Sequence, residues 1–236
     1  MNQSLRTSWP VLAAAFFPVL STFGQGVFQN LNFESALVDP AQPPGVVSVA
    51  DALPGWTVYA GSNQVTSVNY NIVQYGGTVV DLLGRSNHVG VTSIDGSFSV
   101  LLQGGLIGGV TLYPAAASIS QTGLVPASAR SIRFLAQWNQ GPFLPSLSLG
   151  GVSVPYFELS AGPNYVVYGA DVTPFSGRTV DLQFSVPGGA GGNQSNWNID
   201  DIQFSDLAIP EPTILGLSAL GGLLLGWRLL RVSLRS

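Results

Sequence analysis

The 236-residue chain has no cysteine and no lysine, a single histidine and only 8% charged residues. Without cysteine there are no disulfides, no thiol nucleophile and no cysteine-ligated zinc. Without lysine, the glycine run Gly188-Gly189-Ala190-Gly191-Gly192 lacks the cation that follows a phosphate-cradling loop, and no strand-to-helix context surrounds it. The histidine, His88, stands in the loop-like stretch Gly84-Arg85-Ser86-Asn87-His88 and reads as a solvated residue. No serine sits on a Gly-x-Ser-x-Gly elbow, so a Ser–His–Asp constellation has no anchor. Cations are scarce throughout. Between residues 25 and 209, four arginines face eleven acidic residues, a net charge of −7. That balance argues against nucleic acid and against anionic lipid surfaces as partners of the body. A convincing amphipathic helix is also missing between Phe28 and Phe204.

Long apolar runs occur only at the two ends. At the N-terminus, Arg6 precedes the apolar stretch Trp9–Leu20, and small residues follow at Ser21, Thr22 and Gly24. This is the layout of a secretory signal peptide over residues 1–26, with cleavage after Gly24 or Ser21, and it implies passage through the secretion translocon. At the C-terminus, Pro210-Glu211-Pro212 precedes a 14-residue apolar run, Ile214–Trp227. The run carries Ile214, Leu215, Leu217, Leu220, Leu223, Leu224, Leu225 and Trp227, and Arg228, Arg231 and Arg235 close the chain. A comfortable span needs about 20 residues. Leu229 and Leu230 extend this one, and Arg228 can snorkel its guanidinium to the headgroups. The arginines favour a cytoplasmic end. The expectation is a transmembrane helix that stops at the arginines.

The tripeptide, apolar run and terminal arginines of residues 209–236 resemble the PEP-CTERM sorting signal of Gram-negative envelope proteins. The resemblance implies recognition by exosortase, a membrane-embedded cysteine transpeptidase that processes such proteins near the tripeptide. It places the protein in the cell envelope, at the surface or in the extracellular matrix. The domain organisation is then residues 1–26 as signal, 27–206 as folded body and 207–236 as sorting and anchor segment.

The body carries the period of two expected for half-buried antiparallel strands. In Ser131–Trp138, Ile132, Phe134, Ala136 and Trp138 form one face. In Thr179–Val186, Val180, Leu182, Phe184 and Val186 do, and in Ser97–Gln103, Phe98, Val100 and Leu102. Turn-formers separate these runs: Asp95-Gly96, Gly104-Gly105, Gly108-Gly109, Gly150-Gly151 and Pro187-Gly188-Gly189. Short strands with frequent turns predict an all-β body, an antiparallel β-sandwich of jelly-roll type.

Four further motifs are a first strand Phe28-Gln29-Asn30-Leu31-Asn32-Phe33-Glu34, then Leu53-Pro54-Gly55-Trp56, Ile119-Ser120-Gln121-Thr122, and a last strand Trp197–Phe204 containing Ile199-Asp200-Asp201-Ile202. Together they resemble jelly-roll domains of the galactose-binding-like type, to which many carbohydrate-binding modules belong. In the last strand, Ile199 and Ile202 reach one core only if a bulge intervenes at Asp200-Asp201. The resemblance places the first strand beside the last, often with a structural calcium between them. Glu34 with Asp200 or Asp201 are then the candidate ligands, since carboxylate and carbonyl oxygens suit Ca²⁺. The alternative is that the two aspartates cap a bulged edge strand in water.

Exposed aromatic rings can stack on sugars. Trp56, Trp138 and Trp197 read as core, whereas Tyr70 and Tyr75 lie in a polar stretch and are the exposed candidates. A glycosidase needs a convergent carboxylate pair, and the adjacent Asp200 and Asp201 do not obviously supply one. Three functions fit: an envelope-anchored surface or matrix protein that binds polysaccharide, a structural surface protein without a ligand, and a secreted hydrolase. The first two are preferred, and no catalytic residue is assigned.

Overall fold

The computed structural model describes residues 26–74, 76–85, 90–108, 112–138, 141–189 and 194–209, with the side chain of Trp138 excepted. The export signal, Tyr75, His88 and the whole segment from Pro210 to Ser236 lie outside the described residues.

The predicted alternations become strands. In chain order these are β1 (Gly45–Ser48), β2 (Thr57–Ala60), β3 (Asn63–Val65), β4 (Ser67–Tyr70), β5 (Val79–Gly84), β6 (Phe98–Ile107), β7 (Tyr113–Ala115) and β8 (Ala117–Leu124). They continue with β9 (Ser131–Trp138), β10 (Ser146–Leu149), β11 (Val152–Ser153), β12 (Tyr156–Ala161), β13 (Val166–Asp171), β14 (Thr179–Val186) and β15 (Ser195–Ser205). One turn of α-helix, α1 (Val49–Ala52), is capped by the Ser48 hydroxyl, which accepts the Asp51 amide.

Two sheets result. A nine-stranded sheet runs β1-β4-β5-β6-β15-β9-β13-β12, with β7 added to β6, and a six-stranded sheet runs β11-β10-β14-β8-β2-β3. All ladders are antiparallel except β4–β5. The chain crosses between sheets repeatedly, as between β11 and β12 through Val154 and Pro155. β10 and β11 meet in a two-residue hairpin whose Gly150 and Gly151 have φ of 57° and 76°. That is the mirror-image turn that only such residues adopt cheaply.

The core lies between the sheets. Leu82, Val100, Leu102, Ile132, Phe134, Trp197 and Ile199 come from the larger sheet, and Val58, Ile119, Leu147, Leu182 and Phe184 from the smaller. Each such side chain contributes about 1.5–3 kcal/mol on burial. Phe134 centres an aromatic cluster, with ring centroids 5.3 Å from Phe184, 5.4 Å from Trp197, 5.8 Å from Tyr156 and 5.7 Å from Tyr168. Trp56 and Trp197 are buried, as the sequence implied.

The bulge in the last strand is present. The β15–β9 register shifts between Asp200 and Gln203, Asp201 takes φ 44°, and both Ile199 and Ile202 reach the core.

Two expectations are corrected. Phe28–Glu34 is not a strand but a run of turns, with Asn30 and Phe33 at positive φ and a single bridge from Val27 to Leu124. It still lies against the last strand, because the Ile202 amide donates to Leu31 O at 2.9 Å. Gly104-Gly105 is not a turn either. Both glycines sit inside β6, where a Cβ would strike the Pro187 and Gly76 carbonyls, so the glycines admit neighbouring backbone.

Candidate functional site

The outer faces of the two sheets differ. That of the larger sheet is partly roofed by the loops after β4 and β5. Val73 and Val91 from those loops pack on Leu83 and Leu101. Beneath them runs a buried polar seam. Asp81 accepts the amides of Ile72 and Val73 at 3.3 and 2.9 Å, and Ser99 donates to Asn198 at 2.8 Å. Asp200 Oδ2 accepts the Asp95 amide at 2.9 Å, and its Oδ1 accepts the Asp201 amide at 2.7 Å. Burial pushes the Asp81 carboxyl up to about 6 against the stabilising amides. Burial pushes Asp200 up to about 7, with the negative charges of Asp201 and Asp95 adding to the rise.

The expected cation ligands converge on one turn rather than on one point. Glu34 Oε1 accepts the amides of Ser97 and Phe98 at 2.6 and 2.9 Å, while Asp200 holds the amide of Asp95 at the other end of that turn. Gly96, between them, has φ 55°. Asp201 turns away, and its carboxylate accepts from the Gln203 side-chain amide at 2.7 and 2.8 Å. These carboxylate oxygens thus accept N–H groups, where in a calcium cage they would converge on the cation. Among the described residues, no group of three or more His, Asp or Glu is placed to hold a metal ion. The arrangement does not fit a shared calcium, and no role is derived from one.

Tyr70 is a further correction. It is fully buried (0% exposed), faces the core from β4, packs edge-on against Phe98, and donates its hydroxyl to Pro40 O at 2.9 Å. Its polar neighbours Asn69 and Asn71 suggested exposure, but they are buried as well. Tyr70 cannot stack on a ligand.

The outer face of the six-stranded sheet is different. The registers align outward side chains in rows across the strands. One row is Ser153, Ser148, Gln183, Ser120 and Thr57. The next is Ser146, Ser185, Ser118, Tyr59 and Gln64. Beside the first row, Asp181 stands opposite Thr122. Every member except Asp181 is a neutral hydroxyl or amide bearer. The six strands hold no cation and one acid. Thr122, Ser146, Ser153 and Gln64 are exposed, and Tyr59, Thr57, Ser148, Asp181, Gln183 and Ser185 are partly so. Ser118 and Ser120, at the centre of the rows, are buried. Burial raises the Asp181 carboxyl above its ordinary value, while hydroxyl contacts from Ser120 and Thr122 hold the rise back.

Sequence reasoning did not single out this face. The signal was available in the polar half of the Thr179–Val186 alternation, but only pairing with β8, β10 and β2 shows that the polar halves join. A small cavity, about 330 Å³, opens where the chain crosses sheets, lined by Leu144, Pro145, Ser146, Ser153, Val154 and Tyr156 among others.

No protein-family model matches the chain, and no curated protein sequence does. Two solved structures are similar in architecture. One is a carbohydrate-binding module, TmCBM61, solved in complex with β-1,4-galactotriose, at 14% identity and TM-score 0.36, over 76% of this chain and 97% of that one. The other is the enzymatically active domain of bacteriophage CBA120 tailspike protein 4, at 18% identity and TM-score 0.35 over 64% of this chain. This chain spans only 19% of the tailspike's length. Neither likeness reaches past shared β architecture, and the site's chemistry rests on this chain's own residues.

Proposed function

We propose that this chain is an exported β-sandwich protein held in the cell envelope by its C-terminal segment, where its body binds polysaccharide. The observation that carries the first half is the order Pro210-Glu211-Pro212, apolar run, then Arg228, Arg231 and Arg235. A polar, rigid tripeptide before a lipid-compatible stretch, with cations after it, is read as a stop-transfer anchor and a sorting address. Among the described residues, no helix is long and apolar enough to cross a membrane; the C-terminal segment lies outside them. Exosortase is the partner this tail would meet after translocation.

The second half is supported by a body with few cations, no assigned catalytic constellation, and a hydroxyl-dense sheet face that carries a single acid, Asp181. It is read as a binding module and not as an enzyme.

Cell fractionation with mass spectrometry of the mature protein tests the address. The full chain is expected in envelope fractions, released by detergent, with its N-terminus near residue 25. A chain ending at Ile209 is expected in the soluble fraction. Recovery of the full chain without detergent, its C-terminus intact, would end the anchor reading.

A further inference from the structure

We infer that the outer face of the six-stranded sheet is the glycan site, and that it takes an extended, uncharged polysaccharide chain lying across the strands. This assignment rests on the polysaccharide reading above and adds where and what kind.

The face is long enough. Each of its two rows spans five strands, which at about 4.8 Å between strands is roughly 19 Å. That length accommodates several sugar units in line, and the strand repeat is close to the length of one pyranose ring.

Its chemistry is specific in what it offers. Serine and threonine hydroxyls donate and accept, as do the side-chain amides of Gln183 and Gln64. A ligand matched to them must itself be dense in groups that do both, which describes sugar hydroxyls. Tyr59, partly exposed on β2 beside Ser118, supplies a ring for the C–H face of a sugar. Asp181 supplies one ionic acceptor, with Thr122 Oγ1 at 3.5 Å. A carboxylate accepts two neighbouring hydroxyls more strongly than a neutral oxygen does.

The same inventory disposes of other partners. A protein interface wants an apolar centre with aromatic and arginine anchors, and this face has one tyrosine and no arginine. A nucleic acid needs cations on its phosphates. An acidic glycan, such as a uronan, would bring carboxylates to the one charge present, Asp181, with no cation on these six strands to offset the repulsion. The uncharged class remains.

The test uses the full chain in mild detergent. Depletion binding is measured on insoluble galactan and glucan as neutral probes and on polygalacturonate as the acidic one. Wild type is expected to bind a neutral polymer and to leave the acidic one in solution. Tyr59→Ala and Asp181→Ala are each expected to weaken that binding at least tenfold, as is Ser185→Arg, which plants a bulky cation in the row. Phe157→Ser, on the edge strand β12 of the other sheet, is expected to bind as wild type does. Thermal melts confirm that each variant is folded. Binding unaffected by the three face substitutions overturns this site while leaving polysaccharide binding in place. Capture of polygalacturonate but not the neutral polymers overturns the class. No retention on any of the three polymers removes the polysaccharide reading itself.

Discussion

The carboxylate of Asp200 accepts the backbone amide of Asp95, 105 residues earlier in the chain, at 2.9 Å. The contact ties the bulge of β15 to the turn that opens β6. It does so with a group that burial and two neighbouring acids hold at about 7, against an ordinary 3.8. Asp81 does the same for the Ile72–Val73 loop, at about 6.

These two groups set a pH dependence. In each, the folded state binds its proton more tightly than the unfolded chain. Their contribution to stability is therefore fully present below about pH 4 and is lost as pH rises through the folded values near 6 and 7. From these groups the melting temperature of wild type falls between pH 4 and pH 8. Asp200→Asn abolishes the later part of that fall, so that its melting temperature is level above about pH 6 while that of wild type still declines. Differential scanning calorimetry at half-unit pH intervals reads both curves. A melting temperature that rises across this window in wild type, or a decline unaltered in the variant, contradicts the assignment.

Glu34 holds the other end of the same turn, accepting the Ser97 and Phe98 amides. It is exposed, so water can replace part of what it gives. Glu34→Ala is expected to cost about 1.5 kcal/mol in urea denaturation, the low end for hydrogen bonds to a charged acceptor. Glu34→Gln, which keeps an oxygen acceptor, is expected to lose less. The turn needs no cation in this account. Melting temperatures of wild type in millimolar Ca²⁺ and in EDTA are then expected to agree within about 1 °C, on a scale where 1 kcal/mol moves a body of this size by a few degrees. A rise with calcium would restore Glu34 and Asp200 as metal ligands.

How far the sequence speaks differs from element to element. Thr179–Val186 was legible to the residue, because a half-buried antiparallel strand must alternate and its ends meet turn-formers. The bulge at Asp200 was legible for a related reason. Two isoleucines three apart cannot share a face without an extra residue between them. Tyr70 was not legible. Its polar neighbours are buried, with Asn71 Oδ1 accepting the Gly84 amide of β5 at 2.8 Å, a partner that no local pattern shows. Phe28–Glu34 misled in the opposite way. Its apolar residues suit a strand, but they are bound through Asn30 and Leu31 carbonyls to Trp56 and Ile202, which lie far along the chain. The serine- and threonine-rich face belongs to the same class as Tyr70: each strand shows its polar half, and only the ladder makes a surface.

Gly123 on β8 lies directly under the Phe28 ring, where a Cβ would have no room. Phe28 in turn stacks on Phe204 of β15 with centroids 5.3 Å apart. Gly123→Ala is therefore expected to lift Phe28 off and loosen the segment that precedes β1, at a cost of about 1–3 kcal/mol for overpacking. Limited proteolysis followed by mass spectrometry should show new cleavage between residues 26 and 36 in the variant, with the strands of the sandwich intact. A cleavage pattern identical to wild type would mean that Phe28 is not what seats this segment.

Phe134 is the residue whose loss should be felt most widely. It comes from β9, in the larger sheet, and meets Phe184 of the smaller sheet edge-on with centroids 5.3 Å apart, so it joins the two layers directly. Trp197 and Tyr156 stack on each other beside it at 5.4 Å, and Tyr156 donates its hydroxyl to Pro145 O at 3.0 Å where the chain leaves one sheet for the other. Burial pushes the Tyr156 phenol up to about 12, so the phenol stays protonated and that hydrogen bond persists across the usable pH range. Phe134→Ala leaves a cavity bounded by four rings and is expected to cost about 3–5 kcal/mol, with near-ultraviolet circular dichroism flattened as Trp197 and Tyr156 lose their fixed neighbours. Phe134→Leu refills most of the space and should recover more than half of that loss. If urea denaturation showed the alanine variant within 1 kcal/mol of wild type, the two sheets would have to be held together by something other than this cluster.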